Sequence, residues 1–443
     1  MRTYMTSMGC PKNLVDTEAC LSLLRGVGCT ITANPEDAEL LIVNACSFLD
    51  AAWQETVEEV HRLAGFKREC ASKKLILTGC LPRHRAEDLR ATLPEVDQFL
   101  PPGAQGRLAS LVSTWCGEAG TTGAASPVHT DPFAGFEQRR LLTPGHTAYV
   151  KIAEGCSRDC TFCAIPTIRG GMVSRKPDSV VREVENLVAA GVREIALLAQ
   201  DITSYYADGT RLSDLVDAIV RTGIDWVRIL YVHPGSLTPA LARRLFSHTA
   251  VCRYLECPVQ HASDRVLKRM RRPYSRERLE TVFGAIREEF PDVRLRSEVI
   301  VGFPGEDEDD FDTLKRFVES MEFSSLGIFT YSPEPGTPAA GMDGQVTAAV
   351  KAERAAELAT VQDASAFGLY GRERHRVHRV LVDRRLEEPA PVYPDCAYAG
   401  RYYGQAFEVD GEVFLTGDDI AVGDFVDVRI IDSDITDLKG EVL

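Results

Sequence analysis

The decapeptide EGCSRDCTFC, Glu154 to Cys163, places cysteines at 156, 160 and 163, directly after a strand-like run, Thr147–Ile152. Three thiolates on one short loop can each reach a different iron of a cubane cluster. The fourth iron is then left open to a ligand, as open metal sites are elsewhere. A zinc site of this compactness would call for a fourth Cys or His nearby, and Cys252 and Cys257 are too distant along the chain to be presumed partners. The spacing therefore favours an iron–sulfur cluster over zinc or structural cysteines.

Reading outward, strand-like runs recur at Glu194–Ala199, Trp226–Tyr231, Tyr254–Val259, Leu295–Val301 and Ser325–Thr330. Helical patterns lie between most of them: Asp178–Ala190, Leu212–Thr222, Arg276–Phe290 and Glu308–Met321. Six such repeats over residues 146–370 predict a partial or full (β/α) barrel, with functional groups at the carboxyl ends of its strands. A last helix, Ala348–Phe367, leads out. Residues 371–443 change character, with strand-like runs at Val377–Asp383, Arg401–Val409, Val413–Leu415 and Phe425–Ile431, and read as a small β-barrel. Upstream, residues 117–145 read as a linker, rich in Gly, Ala, Thr and Pro through Phe136.

Residues 1–116 alternate strands (Thr3–Met8, Glu39–Val43, Lys74–Leu77) with helices (Asp16–Arg25, Leu49–Ala64, Arg85–Ala91), predicting a parallel α/β domain. Three more cysteines share one context there. Cys10, Cys46 and Cys80 each follow an apolar run and precede a break or helix. In a parallel sheet all three run ends fall on the carboxyl edge, where such sheets bind ligands. They predict a second three-thiolate site. The alternative is three coincidental buried cysteines, the reading that suits the remaining seven of the thirteen.

Thirteen cysteines in a chain with neither a long apolar run nor a signal-like start point to a reduced, cytoplasmic setting and to metal binding. The net charge of −15 tilts the partner toward a basic protein rather than a nucleic-acid backbone. Residues 371–443 carry nine basic and sixteen acidic side chains, net −7. Asp418, Asp419, Asp424 and Asp427 are candidate contacts to such a partner. Arg372, Arg374, Arg376 and Arg379 run against this trend.

The CxxxCxxC set, with Phe162 before its last cysteine, resembles the radical S-adenosylmethionine (SAM) superfamily. That resemblance implies a cluster whose open iron binds the amino and carboxylate groups of SAM and whose reduction yields a 5′-deoxyadenosyl radical. It also implies SAM contacts from LLAQD (Gln200, Asp201) and from EVIVGFPGE (Glu298, Gly302, Gly305). Taken alone, Gly302 and Gly305 also suit an ordinary turn. Gln260 and His261 of CPVQHAS point either inward or, for the histidine, into a satisfied core position.

GCPKN (Gly9–Asn13), the Cys46 and Cys80 contexts and the C-terminal β-module resemble the methylthiotransferase family over essentially the whole chain. Ala45 stands where that family often has Thr. The family implies two 4Fe-4S clusters, SAM and a C-terminal TRAM domain. GCPKNLVDTE, KIAEGC, PVQHASDRVLKRMRRP and FTYSPEPGTPAA look like the branch that modifies an aspartate of ribosomal protein twelve of the small subunit. The alternative branch acts on adenosine in transfer RNA and more often has GCQMN at the first cysteine. The resemblance implies methyl transfer from one SAM to sulfur at the second cluster, then a radical from another SAM that activates the aspartate β-carbon. The expected partners are that ribosomal protein and an external electron donor, with the chain a monomer and neither transfer RNA nor a membrane involved. The non-enzymatic alternative is an electron-carrying or RNA-binding iron–sulfur module; the barrel pattern after Cys163 argues against it, because a carrier needs no SAM pocket.

Overall fold

The computed structural model describes residues 1–81, 86–115, 131–417 and 419–443. Cys116, residues 117–130 of the expected linker, Arg85 and Asp418 lie outside the described residues. The chain divides into two compact units. One comprises Met1–Thr143, Tyr149–Asn186 and Ser332–Ala340; the other comprises Pro144–Ala148, Leu187–Tyr331 and Gly341–Leu443.

The first unit is built on a five-stranded parallel sheet, in the order Thr30–Ile31, Arg2–Ser7, Leu40–Cys46, Lys74–Cys80, Gln98–Phe99. Leu40, Leu41, Ile42 and Val43 are all fully buried, because helices cover both faces. Trp53, Val60, Leu63 and Ala64 of the helix Asp50–Glu69 pack on Leu41, Val43, Leu75 and Leu77. Their spacing makes one apolar stripe on the helix. Cys20 and Leu24, with Leu108 and Val112, pack on Leu40, Ile42 and Ile76 of the other face. Cys20 and Cys29 are thus small core hydrophobes.

Two strands run three residues further than their apolar runs predict. Asn44, Ala45 and Cys46 continue the parallel ladder against Thr78, Gly79 and Cys80. The helix Pro11–Gly26 begins five residues before the expected Asp16, with Pro11 in its first turn, where a missing N–H costs nothing. Its buried polar residues Lys12, Asn13 and Asp16 hid the early start from an apolar count. Composition also misreads the end of the linker. Phe136 is fully buried, with Lys151 Nζ and Arg175 5.3 and 5.4 Å from its ring, and buried Arg139 bridges Glu18 and Glu183.

The barrel repeats form a six-stranded sheet in the order Ser325–Thr330, Arg294–Val301, Val251–Glu256, Trp226–Ile229, Glu194–Leu198, Thr147–Lys151. The order has two ends, so this is the partial barrel, and the strand pairs from Glu194–Leu198 through Ser325–Thr330 are parallel. The C-terminal module is a closed barrel of Val377–Arg385, Tyr398–Tyr402, Val413–Thr416, Leu438–Val442 and Phe425–Ser433. The expected strand Arg401–Val409 is not one. The chain leaves the ladder at Tyr402 and turns, with the Asp410 carboxylate accepting from the Ala406 N–H at 2.9 Å. The strand Leu438–Val442 was missed because its sequence, LKGEV, is half polar and too short to show a period.

This module is fastened to the barrel by buried charge. Arg401 of the module pairs with Glu194 of the barrel (2.6 Å) and Arg294 of the barrel with Glu373 of the module, while Asp383 (2.7 Å to Arg401) and Arg228 (2.9 Å to Glu194) support the first pair from either side. The basic stretch is neutralised side chain by side chain: Arg372 by Glu322, Arg374 by Asp432, Arg376 by Glu373 and Arg379 by Asp225. Among the described residues, no helix is long and apolar enough to cross a membrane.

Candidate functional site

Cys10, Cys46 and Cys80 meet at the carboxyl edge of the first sheet. Cys46 and Cys80 end adjacent strands in register. Cys10 precedes the helix Pro11–Gly26 as its N-cap residue. Gly9 (φ +84°) lies so close to Cys46 that a Cβ on it would stand 2.6 Å from the Cys46 Cβ.

Asn13 ties these loops together. Its Nδ2 donates to the carbonyls of Met8 (3.0 Å) and Ala45 (2.7 Å), and its Oδ1 lies 3.4 Å from the Cys80 sulfur. Asn44 Nδ2 donates to the Asn13 carbonyl at 2.8 Å, closing the knot. Arg169, from the helix Ile165–Arg169, donates from Nε to the Cys80 sulfur at 3.1 Å. Its Nη2 reaches Asn13 Oδ1 at 2.5 Å, and its Nη1 reaches both Glu154 oxygens (2.7 and 2.9 Å) and Asp16 (3.2 Å). Lys151 joins the same two carboxylates.

Electrostatics follow from this geometry. Burial alone would raise the Cys10 thiol, but Lys12 and Arg169, with backbone N–H groups, bring it below its ordinary value. Burial pushes Cys80 up to about 11; Arg169 opposes this, and the neighbouring Cys10 and Cys46 add to it. Burial also raises Cys46, which feels the charge of Cys10. The three thiols thus lie close enough to sense one another. Burial would likewise raise Glu154, yet Lys151 and Arg169 hold its carboxyl well below the usual range.

The CxxxCxxC set lies on the loop after Glu154. Buried Cys156 donates its N–H to the Gly170 carbonyl (3.0 Å), and its sulfur accepts from the Arg158 N–H (3.4 Å). Cys160 and Cys163 are half-buried, with the Cys163 N–H on the Cys160 carbonyl at 3.2 Å. Among the described residues no three His, Cys, Asp or Glu side chains are grouped for a single metal ion. A cubane instead spreads its thiolates over three irons. An all-sulfur donor set with N–H groups aimed at the sulfurs suits that cluster and suits no hard cation.

The residues expected to contact SAM sit on the other unit, at the carboxyl ends of parallel strands. Gln200 is half-buried. Asp201 is buried and caps the turn Ile202–Ser204, accepting from the Thr203 N–H (3.1 Å) and the Ser204 hydroxyl (2.6 Å). Glu298 is half-buried, 3.7 Å from Arg296. Gly302 and Gly305 both have left-handed φ, +69° and +82°, so both are required by the turn itself. Residues outside the expected set hold this loop. Glu306 accepts from the Phe303 N–H (3.1 Å) and from Arg354 (2.8 Å), with His261 Nε2 at 3.4 Å. His261 is wholly buried, and its Nδ1 accepts from the Ser263 N–H. It occupies a core position.

Comparison with known proteins covers each part of this arrangement. Residues 150–318 match the radical SAM superfamily, residues 2–101 the uncharacterized protein family UPF0004 and residues 376–443 the TRAM domain. The ribosomal protein uS12 methylthiotransferase RimO of Geobacter sulfurreducens is 41% identical, over 100% of this chain and 98% of its own. The chain belongs to the RimO family. The RimO of Geotalea uraniireducens is 39% identical over the same shares. A radical SAM methyltransferase structure, TsrM from Kitasatospora setae, shares the fold at a TM-score of 0.55 and 16% identity, covering 76% of each chain.

Within this RimO-family chain, Arg169 and Glu306 are site residues that sequence pattern did not single out. Arg169 had a usable signal, since it closes the short helix that starts two residues after Cys163. Glu306 ends the EVIVGFPGE motif but has no visible partner until Arg354 folds onto it.

Proposed function

We propose that this chain attaches a methylthio group to the β-carbon of an aspartate on small-subunit ribosomal protein twelve. The observation that carries this reading is the second cysteine set, Cys10, Cys46 and Cys80, alongside the CxxxCxxC loop. One set accounts for a radical SAM enzyme; sulfur insertion calls for the other. The full-length RimO relatives support this substrate over transfer RNA. We assign Cys156, Cys160 and Cys163 to one 4Fe-4S cluster and Cys10, Cys46 and Cys80 to another. SAM lies against Gln200, Asp201, Glu298, Gly302 and Gly305. The protein works as a cytoplasmic monomer with an external electron donor.

When bound, the clusters supply one-electron chemistry and an iron site for SAM, which the unreactive aspartate C–H bond requires. The chain's own residues orient and shield. Asn13 fixes the two loops that present Cys10 and Cys46. Glu306 and Arg354 fix the Gly302–Gly305 turn. Mass spectrometry of ribosomal protein twelve, from cells with and without this gene, tests the reading. Loss of one methylthio group without the gene is expected; an unchanged protein beside an altered transfer RNA would overturn the substrate.

Two further outcomes are expected. Anaerobic reconstitution should give about eight irons per chain, and about four in Cys10→Ala. Four irons in the unaltered chain would remove the second site. Separately, Asp419, Asp424 and Asp427 are exposed on the acidic module. Reversing all three to Lys should slow transfer to the ribosomal protein roughly tenfold at low salt and leave substrate-free SAM cleavage alone. The difference should fade as salt rises. Equal rates at low salt would end the role given to this surface. Deleting the whole module is a poorer test, because Glu194, Arg228 and Arg294 would lose buried partners.

A further inference from the structure

Resting on the second cluster site proposed above, we propose that Arg169 is a positioning residue for that cluster: its guanidinium hydrogen-bonds the Cys80 sulfur and raises the reduction potential there. The side chain is 1% exposed, and its direction is set by four different residues. Nη1 serves Glu154 and Asp16, Nη2 serves Asn13, and Nε points at sulfur at 3.1 Å. A planar fork fixed at its other nitrogens cannot swing Nε elsewhere.

A purely structural counter-charge would look different. Asp16 and Glu154 also have Lys151, whose side chain is fully buried between them. Arg169 and Lys151 together balance the two carboxylates through Nη1 and Nζ, and the Nε contact to Cys80 is additional to that balance. Ala164 and Ile168 of the same segment pack against Cys80, which holds the helix that carries Arg169 at this sulfur. An N–H donor to a cluster ligand favours the more negative, reduced cluster. The arginine also belongs to the segment that carries Cys156, Cys160 and Cys163, so one side chain joins the two cysteine sets.

The test uses full-length protein in which Cys156, Cys160 and Cys163 are all alanine, so that only the second cluster can form. Its potential is read by titration followed by electron paramagnetic resonance, with iron content measured in parallel. Arg169→Gln should lower the reduction equilibrium constant at least tenfold, about 59 mV for one electron. Arg169→Lys keeps the charge but loses the fork, and should fall by less. A Gln variant with four irons and an unmoved potential overturns the assignment. If the Gln variant does not fold, the Lys variant decides by the same rule: a potential equal to the parent's overturns it. A parent protein that binds no iron overturns the second site and this inference together, and is told apart from the first outcome by the iron content alone.

Discussion

Cys160→Ala is expected to abolish SAM cleavage, whereas Cys46→Ala should leave cleavage intact and abolish methylthio transfer. The division comes from position. Cys160 lies on the loop after the first barrel strand; Cys46 ends a strand of the N-terminal sheet. A cubane with two remaining protein thiolates loses both a ligand and the geometry that leaves one iron open. The two sets are not independent in packing, because Ala164 next to Cys163 contacts Cys80. The measurement therefore pairs deoxyadenosine formation with iron content in each variant. If Cys46→Ala stopped deoxyadenosine formation while keeping about four irons, the division of roles would be wrong.

Glu373→Gln should destabilise the protein by about 3–5 kcal/mol at neutral pH, as breaking a buried ion pair does. The Glu373 side chain is 2% exposed and accepts from Arg294 and from His378 at 2.6 Å. The substitution leaves the Arg294 charge buried without its carboxylate, at the joint between barrel and module. Burial alone would raise the Glu373 carboxyl, but His378 and Arg294 hold it at about 2, below its ordinary 4.5. Its stabilisation is therefore complete above about pH 4.5 and is lost as pH falls toward about 2. Chemical denaturation across that range should show the variant and the parent converging in acid. A constant gap between them would mean that the ionised pair is not its source.

Much of this arrangement could be read from residue order. The meeting of the three strand-end cysteines was legible, because a parallel sheet puts its carboxyl ends on one edge. The partners of those cysteines could not be read. Arg169 stands 89 positions from Cys80, and Arg354 stands 48 from Glu306. Buried charge networks join residues that share no local period, so only the folded chain exposes them. The misplaced strand Arg401–Val409 has the same origin: RYYGQAFEV has the composition of a strand, but the ladder ends at Tyr402 and the Asp410 carboxylate holds the turn that follows through the Ala406 N–H.

The glycine before a cysteine in the two candidate cysteine sets has a genetic consequence. Gly9, Gly79 and Gly155 precede Cys10, Cys80 and Cys156, and all three have left-handed φ. None has room for a methyl group: it would strike Cys46, the Ala45 carbonyl or the Gly171 carbonyl, respectively. Inheritance thus sees a two-letter word where chemistry sees one ligand. A side chain at the glycine displaces the same loop that carries the sulfur, so each of these three cysteines offers mutation two codons rather than one.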